Sequence, residues 1–337
     1  MSTHINHKFL DQCRQLGDVQ ADSFVEYCFG NKMQQEFYDL LKFAGTDSEF
    51  KKLKIILNSP KEASALFNSK LIFDEAKLNL GSAFFQDHAR EILFLLGSLS
   101  LPYCYAAAKG AKVLCFSDRI ISNPEKRLTE TAAFVIKVME PNAFAEHGKG
   151  RLACSKIRLI HAMVRYHIKL SGKWNEMEEK PINQEDMAGT NLSFSIIVLR
   201  GLRKMGVSFT DEEAESYLYL WSIIGACTGV ITDLLPFDRK SVFDLERKIA
   251  SRQFKISNEG RMLSNSLVNF LKKSSPIKLL QSQQENIMHF LLGEKVSDII
   301  AIKKTGSTRV SSFLVSNVKQ MISMTDYKRI KLGLEKM

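Results

Sequence analysis

Helix-start signals followed by apolar residues at helical spacing recur along this chain and constrain its fold more than any other feature. Asn123 and Pro124 are the residue types preferred at an N-cap and at the first helical position, and an apolar stripe follows them up to Pro141. Thr210 and Glu213 form a capping box ahead of a long apolar segment. Segments with the two-residue alternation of a strand are hard to find. The pattern therefore predicts an all-α fold.

Length and charge suggest how the chain is divided. Its 337 residues, 45% of them hydrophobic, suffice for a large core. We predict a helical domain over residues 1–260 and a basic, helical C-terminal extension over residues 261–337 that packs on it. The extension holds 13 Lys and Arg against 5 Asp and Glu, out of a net charge of +10 for the whole chain. Such a surface suits contact with an anionic membrane, or is simply a solvated face. Its sparse aromatics do not predict a specific nucleic-acid partner.

The cysteines and the apolar runs bear on the compartment. Six cysteines are scattered without a CxxC pair, which is typical of a reducing environment. The N-terminus lacks the pattern of a signal peptide, and no apolar run reaches the roughly 20 residues of a membrane helix. These features predict a cytoplasmic protein, with peripheral attachment to a membrane as an addition that the basic extension would permit.

One histidine lies between two arginines on a predicted helix. Arg158 precedes His161 by three residues and Arg165 follows it by four, which are the spacings that place helical side chains on one face. An imidazole flanked by two cations suits a dianionic cofactor such as haem, whose iron binds imidazole and whose propionates bind arginine. The chain has no CxxCH sequence, so the haem would be the non-covalent b type.

A second polar pair lies near the start of the helix after Asn123. Arg127 and Thr131 are four residues apart, so a cation and a hydroxyl face the same way at the edge of the apolar stripe. The pair could bind an oxygen species or a polar group of a substrate. By itself the pair is more typical of a solvated arginine and a packed threonine.

Read together, three segments resemble the haem oxygenase family of latex-clearing proteins and ER-bound mpaB-type oxygenases. The segments are Arg127–Thr131, Lys156–Arg165 and Asn183–Thr190 with Phe194, and the 34-residue interval from Arg127 to His161 is similar to that family's. The resemblance extends over about residues 20–240, with the basic C-terminal region largely outside it.

This resemblance implies a globin-like helical core with additional surrounding helices and one haem b. It implies that His161 is the iron ligand, that Arg158 and Arg165 bind the propionates, and that Arg127 and Thr131 lie on the opposite side of the haem, where O2 would bind. A cation there could stabilise negative charge that develops on the oxygen.

Two differences from the family argue against rubber cleavage. Latex-clearing proteins carry a lysine beside the distal threonine, whereas this chain has Glu130. They also place a catalytic acid on the preceding helix, whereas residues 103–116 contain no Asp or Glu. Glu130 is a candidate base, with a surface carboxylate as the alternative. Tyr103 and Tyr105 are candidate pocket residues, with ordinary core aromatics as the alternative.

The sequence thus favours a haem b-dependent oxygenase that uses O2 to oxidise or cleave a small apolar or unsaturated substrate, with an electron donor that the sequence does not identify. Its predicted site consists of His161 as metal ligand, Arg158 and Arg165 as cofactor-binding residues, and Arg127, Thr131 and Glu130 as catalytic residues. Three alternatives stay open at this point: a peroxidase-like haem protein, a non-catalytic haem carrier or sensor, and a basic helical adaptor at a membrane surface.

Overall fold

The computed structural model describes residues 5–43, 59–61, 73–116, 123–145, 148–175, 177–274, 278–305, 312, 313 and 315. Within them the secondary structure is helical, apart from one isolated antiparallel bridge between Ala107 and Phe254, which confirms the predicted all-α class. The α-helices, in chain order, are α1 His7–Arg14, α2 Val19–Gly30, α3 Gln34–Phe43, α4 Glu75–Asp87, α5 Ala89–Leu95, α6 Leu101–Tyr105, α7 Ala108–Cys115, α8 Pro124–Val138, α9 Lys149–Leu170, α10 Gln184–Phe194, α11 Ile196–Lys204, α12 Asp211–Cys227, α13 Arg239–Gln253, α14 Asn258–Ser274, α15 Lys278–Leu292 and α16 Glu294–Ile299. A π-helical turn, Leu96–Ser100, joins α5 to α6, and a 3₁₀ turn, Thr232–Leu234, follows α12.

The predicted helix starts are present. Asn123 caps α8, because its Oδ1 accepts a hydrogen bond from the backbone N–H of Lys126 at 2.9 Å. Thr210 and Glu213 form the expected reciprocal capping box at the start of α12. Both caps satisfy backbone donors that a helix leaves unpaired in its first turn.

Two helix boundaries depend on local geometry that apolar spacing does not show. Helix α9 begins at Lys149, where Gly150 lets the chain pass close to the preceding turn and donates its N–H to Ala143 O at 2.8 Å. Helices α10 and α11 are separated at Ser195, which has a φ of −106° and a ψ of −90°. The sequence shows no glycine or proline at that break.

The main core is shared by helices from both ends of the described chain. Helices α4 and α12 pack along each other, and Leu263 of α14 and Ile287 of α15 are buried in the same apolar cluster. The described part of the C-terminal region is therefore packed against the body of the protein, while the division at residue 260 stays a prediction. Most of the basic extension beyond residue 305 lies outside the described residues.

Helix α9 is held by a second apolar cluster. Leu152 and Leu159 of α9 are buried against Phe24 of α2 and Phe37 of α3. The opposite side of α9 packs against α8 and α12. Side chains on α9 are therefore fixed from two sides. Among the described residues, no helix has the length and apolar character to cross a bilayer.

Candidate functional site

His161 lies in the middle of α9 and is held as a neutral imidazole. Its Nδ1 is buried and has no hydrogen-bond partner among the described residues, whereas the residue as a whole is partly exposed. Burial, reinforced by the positive charge of Arg165, lowers the pKa of His161 to about 4, against the weaker opposing effect of Asp18. The neutral form is the one that binds a metal ion. Because Nδ1 is enclosed, Nε2 is the nitrogen left for that purpose.

Arg158 is paired with a carboxylate of the protein itself. Its Nε and Nη2 donate to the two oxygens of Asp18, and Nη2 also donates to Gln20 Oε1 at 3.0 Å. Asp18 in turn caps α2, because its Oδ1 accepts from the N–H of Ala21 at 3.2 Å. The pair is almost fully removed from solvent, with side chains 12% and 3% exposed. Arg158 thus ties α9 to the start of α2.

Arg165 makes a second link of the same kind. Its Nε donates to Asp22 Oδ1 at 2.6 Å and its Nη1 donates to Ile182 O at 3.1 Å. Burial raises the pKa of Asp22, an effect that Arg165 opposes. The Nη2 of Arg165 is buried and unpaired among the described residues. Both arginines flanking His161 are thus engaged by α2 carboxylates, and Arg165 keeps one donor for another anion. Their binding of propionates stays a prediction.

Two turns, at Gly17 and at Gly229, come close together beside the ion pair of Arg158 and Asp18. Gly229, just after α12, has a φ of +89°, and a Cβ at this position would overlap Asp18 Oδ2 and Arg158 Nε. Gln184 joins the same two turns: its Nε2 donates to Gly17 O at 2.8 Å and to Gly229 O at 3.0 Å. The Asn183–Thr190 segment therefore braces the turns around the Asp18 pair.

The acidic residues of that segment are structural in a similar way. Glu185 and Asp186 both accept hydrogen bonds from Arg14 of α1, at 3.2 and 2.9 Å. Burial raises the pKa of Asp186 to about 6, although Arg14 opposes the shift. Glu185 also accepts from Arg252 at 2.7 Å. These buried ion pairs connect α1, α10 and α13.

Arg127 lies on α8, which packs against α9, in an environment without such pairs. Its guanidinium carbon is 5.1 Å from the centroid of the Tyr105 ring, over the ring face. Its Nη1 is buried and unpaired within the described part of the chain. Burial raises the pKa of the Cys104 thiol, and a hydrogen bond with Ser193 and the positive charge of Arg127 oppose this increase. Thr131, one turn further along α8, is half-buried.

Glu130 and Tyr103 are placed away from this environment. The Glu130 side chain is 59% exposed, with Oε1 3.7 Å from Lys126 Nζ, which favours the surface-carboxylate interpretation, and its role as a catalytic base stays an untested prediction. Tyr103 donates its hydroxyl hydrogen to buried Glu246 of α13, which also accepts from Arg200 at 2.8 Å. Helical geometry turns Tyr103 and Tyr105 to nearly opposite sides of α6, and only Tyr105 contacts Arg127.

Sequence reasoning missed Asp18 and Asp22, the partners of the two arginines. The only available signal was that an aspartate just before an apolar helix is a good N-cap. Nothing in that signal identifies a partner more than 130 residues away.

The structure defines an all-α protein with one neutral histidine in the middle of a helix that is held from two sides. Residues 87–319, more than half of the chain, match the family described as "ER-bound oxygenase mpaB/B'/Rubber oxygenase, catalytic domain", and the chain belongs to this family. The match ends well beyond residue 240, so the C-terminal limit of the resemblance inferred from the three motifs was too early. Asp18 and Asp22 lie outside the matched range.

The chain is similar to two known oxygenase-family proteins. The rubber oxygenase of a Streptomyces species is 23% identical over 234 residues, which is 68% of this chain and 57% of that protein. This chain therefore matches little more than half the length of that relative. A structure titled "Latex Clearing Protein LCP in the closed state" superposes with a TM-score of 0.77 at 19% identity, covering 96% of this chain and 90% of the other. This likeness confirms the predicted all-α, globin-like fold.

Proposed function

We propose that this protein is a haem b-dependent oxygenase that uses O2 to oxidise or cleave an apolar or unsaturated substrate. Membership of the oxygenase family supports the reaction class. The observation that carries the proposal is His161 itself: a neutral imidazole with its Nδ1 buried, on a helix that is fixed from two sides. The residues present fit a haem, because they offer one ligand nitrogen and, nearby on α9, an unsatisfied arginine donor.

Each residue then has a defined task. His161 binds the iron through Nε2, and the bound haem supplies the redox chemistry. Arg165 donates its unpaired Nη2 to a propionate, while Arg158 orients α9 through Asp18. Arg127 would provide a cation, and Thr131 a hydroxyl, for O2 or a polar group of the substrate, and the cation would stabilise negative charge that develops on the oxygen. Glu130 has no part in this scheme.

The substrate and surroundings follow from the same reasoning. We expect a small apolar substrate, since the absence of an acid in residues 103–116 distinguishes this chain from rubber-cleaving relatives. Cleavage that places both oxygen atoms of O2 in the product needs no added electrons, whereas insertion of a single oxygen atom would need an electron donor from outside the chain. The basic C-terminal residues would give peripheral contact with an anionic membrane, where such substrates partition.

The first test is a haem titration followed by absorption spectroscopy. Wild type should take up about one haem per chain and show a Soret band, and His161→Ala should lose or strongly shift it. His167→Ala is the matched control, because His167 is exposed on the same helix, against Phe29, and should leave the spectrum unchanged. A wild-type protein that binds no haem would refute the proposal. Equal spectra for wild type and His161→Ala would refute the assigned ligand.

A further inference from the structure

Arg127 differs from the other enclosed arginines of this protein in what holds it. Arg14, Arg158 and Arg165 each donate hydrogen bonds to carboxylates. Arg127 makes no ion pair among the described residues, and its Nη1 is buried without a partner. The observed contact of its charge is the face of the Tyr105 ring, 5.1 Å away. A cation over an aromatic face is attracted by the negative face of the ring.

Tyr105 is itself rigidly held. Its side chain is enclosed, with the residue 3% exposed. The next residue, Ala106, accepts a backbone hydrogen bond from Lys255 at 3.0 Å. At the start of α14, a Cβ on Gly260 would overlap Tyr105 O, so the backbone there is tightly packed. The ring therefore offers a fixed surface against which a flexible side chain can be held in place.

The type of contact decides what Arg127 can still do. A carboxylate takes up two guanidinium N–H donors when it binds in the bidentate mode, as Asp18 does with Arg158. An aromatic face attracts the charge without acting as such an acceptor. An arginine held by a ring thus keeps its donors and most of its charge for a ligand.

We infer that Tyr105 is a positioning residue for Arg127: its ring holds the guanidinium in place of a carboxylate and so keeps the N–H donors available to a small anionic ligand at the haem. This inference rests on the proposed function. The ring carries the role and the phenolic hydroxyl does not. Tyr105 thereby contributes to the site from residues 103–116, the segment in which latex-clearing proteins carry a catalytic acid and this chain has none.

Azide binding to the ferric, haem-loaded protein tests this directly, because azide is a small anion that ligates ferric haem. Tyr105→Leu should weaken azide binding by about five- to tenfold, the scale expected for losing one desolvated cation–π contact. Tyr105→Phe keeps the ring and should stay within about twofold of wild type. Tyr103→Phe is the matched control, since its hydroxyl bonds to Glu246 away from Arg127, and it should have no effect.

A double-mutant cycle separates positioning from a general structural effect. In an Arg127→Met background, Tyr105→Leu should cause no further loss of azide affinity, because the residue that it positions is gone. A loss as large as in the wild-type background would overturn the inference, and so would a Tyr105→Phe protein as weak as Tyr105→Leu. Should Tyr105→Leu fail to fold, Tyr105→Met, which conserves more volume, replaces it in the cycle with the same expectations.

A wild-type protein without haem would refute the proposed function and this inference together, whereas additive losses of azide affinity in the haem-loaded protein would refute the inference alone.

Discussion

The arginines of α9 and the arginine of α8 face two different electrostatic environments in the same molecule. Arg158 and Arg165 are tied to Asp18 and Asp22, and these pairs fasten the His161 helix to α2. Arg127 has no ion pair among the described residues and lies against a ring face instead. An unpaired buried nitrogen is common to Arg127 and Arg165, so the difference lies in the partner of the charge. Carboxylates neutralise the two arginines of α9 and fasten the fold, whereas the charge of Arg127 is held without one.

This difference has an energetic meaning. Removing one member of a buried ion pair leaves the other charge enclosed without compensation, which is costly. Removing an arginine that lacks a carboxylate partner leaves no such charge behind. The two environments should therefore respond very differently to the same substitution.

The largest effect is expected from comparing Arg158→Met with Arg127→Met. Arg158→Met strands the 3% exposed carboxylate of Asp18 and should lower the free energy of unfolding by about 3–4 kcal/mol. Arg127→Met should change it by less than about 1 kcal/mol, because an apolar side chain replaces a cation held by a ring. Urea unfolding of the haem-free proteins measures both. Equal losses would mean that the contrast between the two arginines is absent in solution.

Because His161 is neutral in the folded protein, the free energy of unfolding should fall when the pH is lowered. Its pKa is about 4 in the fold against an ordinary value of 6.5, so below pH 6.5 the unfolded chain binds a proton that the folded chain does not. The contribution of His161 to the free energy of unfolding is therefore fully present above pH 6.5. It decreases as the pH falls from 6.5 to 4, by a total of about 3 kcal/mol. The difference in unfolding free energy between wild type and His161→Asn, measured in haem-free protein, should shift in favour of the variant over this range. A pH-independent difference would show that His161 titrates normally.

A smaller loss of stability is expected at Gly229, in the turn beside Asp18, and Gly172 offers a matched control. Gly229→Ala should cost about 2 kcal/mol or more, because the residue has a positive φ and its Cβ would overlap Asp18 and Arg158. Gly172→Ala also introduces a Cβ at a positive φ, +65°, but meets nothing within 4 Å, and should cost only about 1 kcal/mol. Thermal unfolding of the two variants compares the cost of overlap with that of the backbone alone. Indistinguishable melting temperatures would argue that the turn relaxes away from the pair.

The smallest effect is expected at Glu130. Its ion pair with Lys126, 3.7 Å between Oε1 and Nζ, joins two well-exposed side chains, so Glu130→Gln should alter the free energy of unfolding by less than about 0.5 kcal/mol. The Soret spectrum and azide affinity of the loaded protein should also stay unchanged. A marked change in either would return Glu130 to the site and weaken the contrast between Arg127 and its surface neighbours.

Local features of this fold were readable from the sequence because they depend on neighbours a few residues apart. The caps at Asn123 and Thr210 and the shared face of Arg158, His161 and Arg165 are of this kind. The break at Ser195 was not, since no proline or glycine marks it. The position of Glu130 could be judged only as a choice between two interpretations, because helical spacing alone does not show which side of α8 faces solvent.

The sequence by itself determined the helical class, the main helix starts, the family resemblance and the placement of one histidine between two arginines, all of which follow from short-range spacing. Only the tertiary structure decided that Asp18 and Asp22 bind those arginines, that Gly229 and Gln184 brace the pair at Asp18, and that Tyr105 lies under Arg127. These contacts join residues far apart in the chain. Which distant groups meet is settled by how the helices pack, and packing is a property of the whole core rather than of any one segment.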